Sequence, residues 1–267
     1  MELTIIQQIL LGIIQGITEW LPISSSGFTI LFMSSVLNIT NFDFLIHTSL
    51  FLHLGTFLAA LIYFRKDVWN LLKSITKYKN SQEETQKILK FLIIATLISG
   101  AIGILILQLL YHYESELAVT GRTITGFIAI LLLFTGFIQL KKKKMGLRQE
   151  SNLKTKDGIL LGIAQGFSSL PGISRSGITI SSLMLRNFND PSALRLSFLM
   201  SLPIVLAGNI LLNLNGFTLT SAAIYGLIAS FIFGLLTIHA MITISKRINF
   251  GWFALVFGLL MLGSLLI

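Results

Sequence analysis

No cysteine occurs anywhere in the chain, so disulfides and thiolate metal centres are both excluded. Charge is scarce as well. Asp, Glu, Lys and Arg make up only 12% of the 267 residues, against 54% hydrophobic ones, and the mean hydropathy is +0.82. A soluble domain carries about twice that share of charge, so the composition excludes one and points to an all-α polytopic membrane protein. Proline is rare, at four residues, which makes its placement informative. There is no complete nucleotide-binding loop, no zinc-type spacing and no cluster of carboxylates. The N-terminus lacks both a basic region ahead of its apolar run and a small-residue cleavage signal. It is expected to belong to the fold rather than to a removed signal peptide. The net charge of +9 would suggest nucleic acid for a soluble protein; here basic cytoplasmic loops explain it, and no nucleic-acid partner is expected.

The apolar runs predict full crossings at 42–64, 91–111, 122–140, 193–214, 219–244 and 250–267. All of the Lys and Arg except Arg122 and Arg175 fall in or beside loops 65–90, 141–157, 186–195 and 246–247, which assigns those loops to the cytoplasm. The loop at 67–90 also has the look of an interfacial amphipathic stretch.

Two further apolar stretches are interrupted. LGIIQGITEWLPISSSG near the start returns as LGIAQGFSSLPGISRSG from Leu161, and each copy is broken by proline and serines at Pro22 and Pro171. Proline removes a helical hydrogen bond and clashes with the preceding turn, so each copy is expected to be a helix, a break and a second short helix. Such half-helices are too short to span, which suits re-entrant hairpins at 3–37 and 158–185. Each half, 1–140 and 141–267, then holds one hairpin and three crossings. An odd number of crossings inverts the second half, so loop charge and sequence repeat agree on an inverted-topology duplication within one integrated membrane domain. The first hairpin enters from outside, with the N-terminus, and the second from the cytoplasm.

Two charges lie inside hairpins rather than loops: Glu19 and Arg175. A lone charge at the bilayer centre costs about 2.5–3.5 kcal/mol on insertion scales, so one from each hairpin suggests that they meet in a solvated or ligand-filled pocket. A structural ion pair locking the halves together is the plainer alternative. After the breaks, Ser24-Ser25-Ser26-Gly27 and Gly172 with Ser174-Arg175-Ser176-Gly177 open helices whose N–H groups, hydroxyls and guanidinium suit phosphate oxygens. Capping accounts for one serine in each set but hardly for the run. Gln15 shares a helical face with Glu19, and Gln165 repeats the position; interhelical hydrogen bonding is the alternative for both. His53 is a further candidate, equally well explained as a satisfied packing histidine.

GIIQGITEWLPISSSG, LPGISRSGITI and HLGTFLAALIYFRKDV together resemble the undecaprenyl-pyrophosphate phosphatases, the family linked to bacitracin resistance, and the likeness spans essentially the whole chain. The PSGH plus SRxxxxxHxxxD pattern of the other large class of membrane lipid phosphatases is absent. The resemblance implies hydrolysis of a polyprenyl diphosphate to the monophosphate, recycling a lipid carrier at the outer face of the plasma membrane. It implies Glu19 as catalytic glutamate, Ser25 as nucleophile and Arg175 as phosphate-binding residue, with Ser24, Ser26, Ser174, Ser176 and Thr179 on polar pocket positions. Gln15 stands where the usual motif has a first glutamate, and Phe28 where it has histidine, departures expected of an archaeal-type branch. Glu19 must then act as base, or His53 must substitute.

These readings lead to phosphoryl transfer through Ser25 or through water activated by Glu19. A divalent cation, Mg²⁺ or Ca²⁺, is expected to be held mainly by the diphosphate, with Glu19 the protein ligand. A homodimer is compatible with this reading. The rival class is a lipid-phosphate transporter, flippase or non-catalytic lipid-diphosphate binder, which would use the same broken helices.

Overall fold

The computed structural model describes residues 3–21, 23–113, 121–140, 146–170, 172–213, 219–244 and 251–264. Pro22, Pro171, Lys141 to Lys144, Lys246 and Arg247 lie outside them. Among the described residues the protein is helical, with a single isolated bridge between Arg148 and Phe188.

The first interrupted stretch forms α1 (Ile5–Thr18) and α2 (Ser25–Leu31), which runs on into a π-helical turn at Phe32–Val36. Thr4 and Gln7 close a capping box at the start of α1. Its counterpart forms α7 (Thr155–Phe167) and α8 (Arg175–Leu185). Between the two hairpins lie α3 (Phe42–Tyr63), α4 (Arg65–Thr76), α5 (Glu83–Tyr113) and α6 (Gly121–Leu140). After them come α9 (Asp190–Gly208), continued by a π-helical turn at Asn209–Asn213, then α10 (Ser221–Ile244) and α11 (Gly251–Ser264).

Four helices among the described residues are long and apolar enough to cross a membrane: Phe42–Tyr63, Glu83–Leu110, Asp190–Asn213 and Ser221–Met241. This is an all-α membrane protein. The expected crossings at 122–140 and 250–267 coincide with α6 and α11, which pack on each other. The segment 67–90 is not one amphipathic stretch. It divides into α4, a 3₁₀ turn at Tyr78–Asn80 and the first turns of α5, while Trp69, Leu72 and Ile75 form an exposed apolar stripe on α4.

Helix pairing exchanges between the halves. α1 packs along α10, and α7 packs along α5. Glycines make both approaches close. A Cβ on Gly16 would stand 2.7 Å from the backbone nitrogen of Gly234, and one on Gly12 would collide with the Gly226 carbonyl. On α7, a Cβ at Gly162 would stand 2.9 Å from the Ile98 Cβ, and one at Gly166 would stand 2.6 Å from the Ile102 Cβ. Small residues spaced by four let membrane helices meet backbone to backbone, and dispersion then holds them where apolar burial cannot. Around α3 and α9 lies the main apolar core, with Trp20, Phe198 and Leu161 fully or almost fully buried. It fixes the floor beneath the two hairpin tips.

Candidate active site at the hairpin tips

The tips of the hairpins are hydrogen-bonded to one another. Ser24 is the N-cap of α2 and accepts from the Gly27 N–H at 3.3 Å; it also accepts from the Gly172 N–H of the other hairpin at 3.1 Å. Ser176 Oγ donates to the Leu21 carbonyl at 3.0 Å in return. Both tips carry unusual backbone. Gly172 has φ of 104°, a region open to glycine alone at little cost, and Ser24 has φ of 66°, which is strained for a residue with a Cβ. Two accepted hydrogen bonds hold Ser24 there, and strain of this kind gathers at functional sites.

This juncture brings Glu19, at the C-terminal end of α1, against Arg175, the first residue of α8. Arg175 Nη2 donates to Glu19 Oε1 in an ion pair between hairpins 156 residues apart in sequence. The other carboxylate oxygen gathers three groups. Gln15 Nε2 donates to Oε2 at 2.7 Å, Ser25 Oγ donates to it at 2.5 Å, and His53 Nε2 lies 3.2 Å away. His53 Nε2 is also 3.5 Å from Ser25 Oγ. Its Nδ1 lies 2.7 Å from the Ser49 carbonyl, an oxygen that can only accept, so Nδ1 carries a proton and Nε2 is turned toward Glu19 and Ser25. The Trp20 ring lies beneath the guanidinium, 5.9 Å from centroid to Cζ, and is held edge-on by Phe198.

A cavity of about 440 Å³ opens in front of this cluster. Arg175, His53, Ser26, Gln165, Ser168 and Ser169 are among the polar residues that line it. Ser25 Oγ and Glu19 adjoin two of the lining residues: Ser25 Oγ lies 3.5 Å from His53 Nε2, and Glu19 pairs with Arg175. Arg175 Nη1 and Gln165 Oε1 are buried without a hydrogen-bond partner among the described protein atoms. Leaving such groups unpaired costs about 1–3 kcal/mol each, so a cationic donor at the cavity points to an anionic ligand.

The remaining sequence-derived candidates have structural partners. Ser174 caps α8 through the Gly177 N–H at 3.0 Å, and its hydroxyl lies 3.2 Å from that of Ser176. Thr179 bonds to Ser197 Oγ at 2.7 Å, as Thr29 does to Ser49 Oγ at 3.0 Å. Ser24, Gly27, Gly172, Ser174, Ser176 and Thr179 therefore build the tips rather than line the cavity. Gln15 lies behind Glu19, whereas Gln165 reaches the cavity and donates to Ser99 Oγ at 3.0 Å. Ser99 and Asn209 carry no motif and were reached only through the fold, while Ser168 lies inside the second repeat without having been singled out.

The described residues do not make a cation cage. Among the described residues no three His, Cys, Asp or Glu converge, and Glu19, the one carboxylate here, is engaged on both oxygens with Arg175 on one of them.

The same arrangement of sequence recurs in known proteins. An undecaprenyl-diphosphatase of Methanococcoides burtonii is 40% identical over 265 residues, covering 97% of each chain. Proteins of the same name from Methanothrix thermoacetophila and Haloarcula marismortui are 37% and 36% identical, covering 96% and 98% of this chain and 95% and 98% of their own. The family described as bacitracin resistance protein BacA matches residues 8–263, which takes in all but the first residues of the first hairpin, the whole second hairpin and nearly all of the other helices, and the chain belongs to the BacA family.

Proposed function

We propose that this membrane protein is a phosphatase that hydrolyses a polyprenyl diphosphate of the undecaprenyl type to the monophosphate and inorganic phosphate. One observation carries the reading: a serine hydroxyl bonded to a buried carboxylate whose other oxygen holds an arginine, with that arginine lining a cavity and its buried Nη1 unpartnered among the described residues, inside a membrane protein of this family. The names of the relatives supply the substrate class.

The terminal phosphate is received by Arg175, whose planar guanidinium neutralises charge on its oxygens as the P–O bond to the bridging oxygen stretches. Ser25 Oγ attacks the terminal phosphorus as its proton passes to Glu19 Oε2. The Oγ–P bond forms, the bridging P–O bond breaks, and the lipid monophosphate leaves with the electron pair. Water then attacks the phosphoserine, returns a proton to Oγ and releases inorganic phosphate. His53 Nε2, within reach of both Glu19 and Ser25, shares that proton. No step is assigned to a metal. On this reading Mg²⁺ or Ca²⁺ arrives as the diphosphate's counter-ion.

The two halves, 1–140 and 141–267, are read as inverted copies with interlocked hairpins. The exchange of α1 and α7 between α10 and α5 supports this, as does the repetition of the Thr29–Ser49 bond at Thr179–Ser197. The excess of Lys and Arg at 65–90 and 141–157 supports a cytoplasmic position for those loops and an outward-opening site in the plasma membrane.

The test is phosphate release from undecaprenyl diphosphate by purified protein in detergent. Wild type is expected to turn over. Arg175→Ala should lower kcat by on the order of 10²–10³-fold and Glu19→Gln by a similar factor. Ser25→Ala should abolish the covalent route, and a near-normal rate in that variant would transfer the attack to water. Tight binding without turnover under any divalent cation would favour a lipid-diphosphate transporter or binder.

A further inference from the structure

The cavity is lined by more than the residues around Arg175. From Arg175 and His53 it runs between α5 and the C-terminal part of α9, where Ile104, Leu107, Ile204, Leu211 and Leu212 line it. Ile104 and Leu211 are also 45% and 64% exposed, so this side of the cavity opens on the flank of two membrane-crossing helices.

Glycine marks this passage differently from the rest of the molecule. At Gly16, Gly162 and Gly166 an added Cβ would lie under 3.0 Å from a neighbouring helix, so those glycines permit close packing. Among the described residues nothing lies nearer than 3.9 Å at Gly100, or nearer than 3.6 Å at Gly208. Both line the cavity. Close helix contact does not account for them, whereas an open passage does. The α9 wall is irregular too, with Pro203 inside the helix and a π-helical turn beginning at Asn209. Asn209 Nδ2 donates to the carbonyls of Val205 and Leu50, at 3.1 and 3.0 Å, and so holds that shape. π-helical turns of this kind are frequent at functional sites.

We propose that the flank opening between α5 and α9 is the portal through which the polyprenyl tail passes into the bilayer while its diphosphate sits at Arg175, and that Gly100 and Gly208 are specificity-determining residues that keep it open. This inference rests on the phosphatase reading above. A cavity of about 440 Å³ is the size of a small-molecule site, so it holds a headgroup and the first prenyl units, and the remainder of a long tail must leave. Arg175 and His53 beside a lining that is mostly aliphatic along α5 and α9, interrupted there by Gln108 and Asn209, match an amphiphile whose tail leaves into the bilayer.

The absence of cysteine allows a clean test. Ile104→Cys and Leu211→Cys variants, folded and purified, are capped with benzyl methanethiosulfonate and later uncapped with reductant. Phosphate release is measured at each stage from undecaprenyl diphosphate and from dimethylallyl diphosphate, which is short enough to stay inside. Capping should raise KM for the long substrate about tenfold or more and leave the short one within about twofold, with reduction restoring both. Gly100→Leu should show the same selective loss. Equal loss on both substrates, or loss on neither, overturns the portal. Wild-type protein that releases phosphate from neither substrate overturns the phosphatase reading, and the portal with it.

Discussion

Asp157 has no solvent exposure, yet two arginines close on its carboxylate from different segments: Arg148 Nη2 at 2.7 Å and Arg186 Nε at 2.5 Å. It opens α7, and Arg186 closes α8, so this cluster fastens both ends of the second hairpin. Burial alone would push the Asp157 carboxyl up. Hydrogen bonds from Arg148, Arg186 and the Lys154 N–H outweigh that and hold it below the ordinary aspartate value. Because the folded value lies below the unfolded one, the stabilisation is complete above the ordinary aspartate pKa and disappears as pH falls through the folded value. Asp157→Ala should cost about 3 kcal/mol at neutral pH, the low end for a broken buried pair because both arginines retain some water. Thermal midpoints in detergent would show wild type well above the variant at pH 7 and the gap narrowing only below about pH 4. At the site itself, His53→Ala should lower kcat by on the order of 10²-fold with KM little changed, read from steady-state phosphate release. Glu19 and Arg175 were legible in the sequence because a charge inside an apolar hairpin is costly. The burial of Asp157 was not, since its position beside a basic loop reads as solvated. Ser99 and Asn209 were equally obscure, and His53 was named only as an even choice between site and packing, because one polar residue on a long apolar helix looks the same whether it meets a cavity or a neighbour.

At the scale of elements, the glycine spacing is the strongest device. Gly12 and Gly16 set α1 onto α10, and Gly162 and Gly166 set α7 onto α5, so each hairpin rests on a crossing helix of the other half. Gly16→Leu and Gly166→Leu should each separate a helix pair. Each is expected to lower stability by about 1–3 kcal/mol or more and to weaken activity through misplaced Glu19 or Arg175. Size-exclusion profiles and thermal midpoints would register the damage, and Gly100→Ala, with no neighbour to strike, should leave both unchanged. The four-residue spacing was present in the sequence as GIIQG and GIAQG, where the shared glutamine drew the functional reading and the glycines passed as part of the repeat. The broken helices were legible from proline and serine. The π-helical turns at Phe32–Val36 and Asn209–Asn213 were not, because they depend on where neighbouring carbonyls find partners, and no local residue pattern encodes that.

For the whole molecule, the inverted reading makes a claim about sides. Thr40, just past the first hairpin, and Gln149, just before the second, are both exposed. If the hairpins enter from opposite faces, the first must return to the outside at Thr40 and the second must leave the cytoplasm near Gln149, with Lys79 on the cytoplasmic face as well. Loop charge carries this assignment, because lysine and arginine near span ends resist translocation. The ion pairs of Arg195 with Asp67 and Glu150 agree with it in one respect: they join α4, the segment before α7 and the start of α9 at a single end of the helices. Since no native cysteine competes, Thr40→Cys, Lys79→Cys and Gln149→Cys can be labelled one at a time in intact cells with an impermeant maleimide. Thr40→Cys should react at once, and Lys79→Cys and Gln149→Cys only after permeabilisation. Labelling of Thr40→Cys and Gln149→Cys from the same side would place both hairpins on one face. The Glu19–Arg175 pair would then join two parallel insertions, and the site would lose its reason to sit between the leaflets.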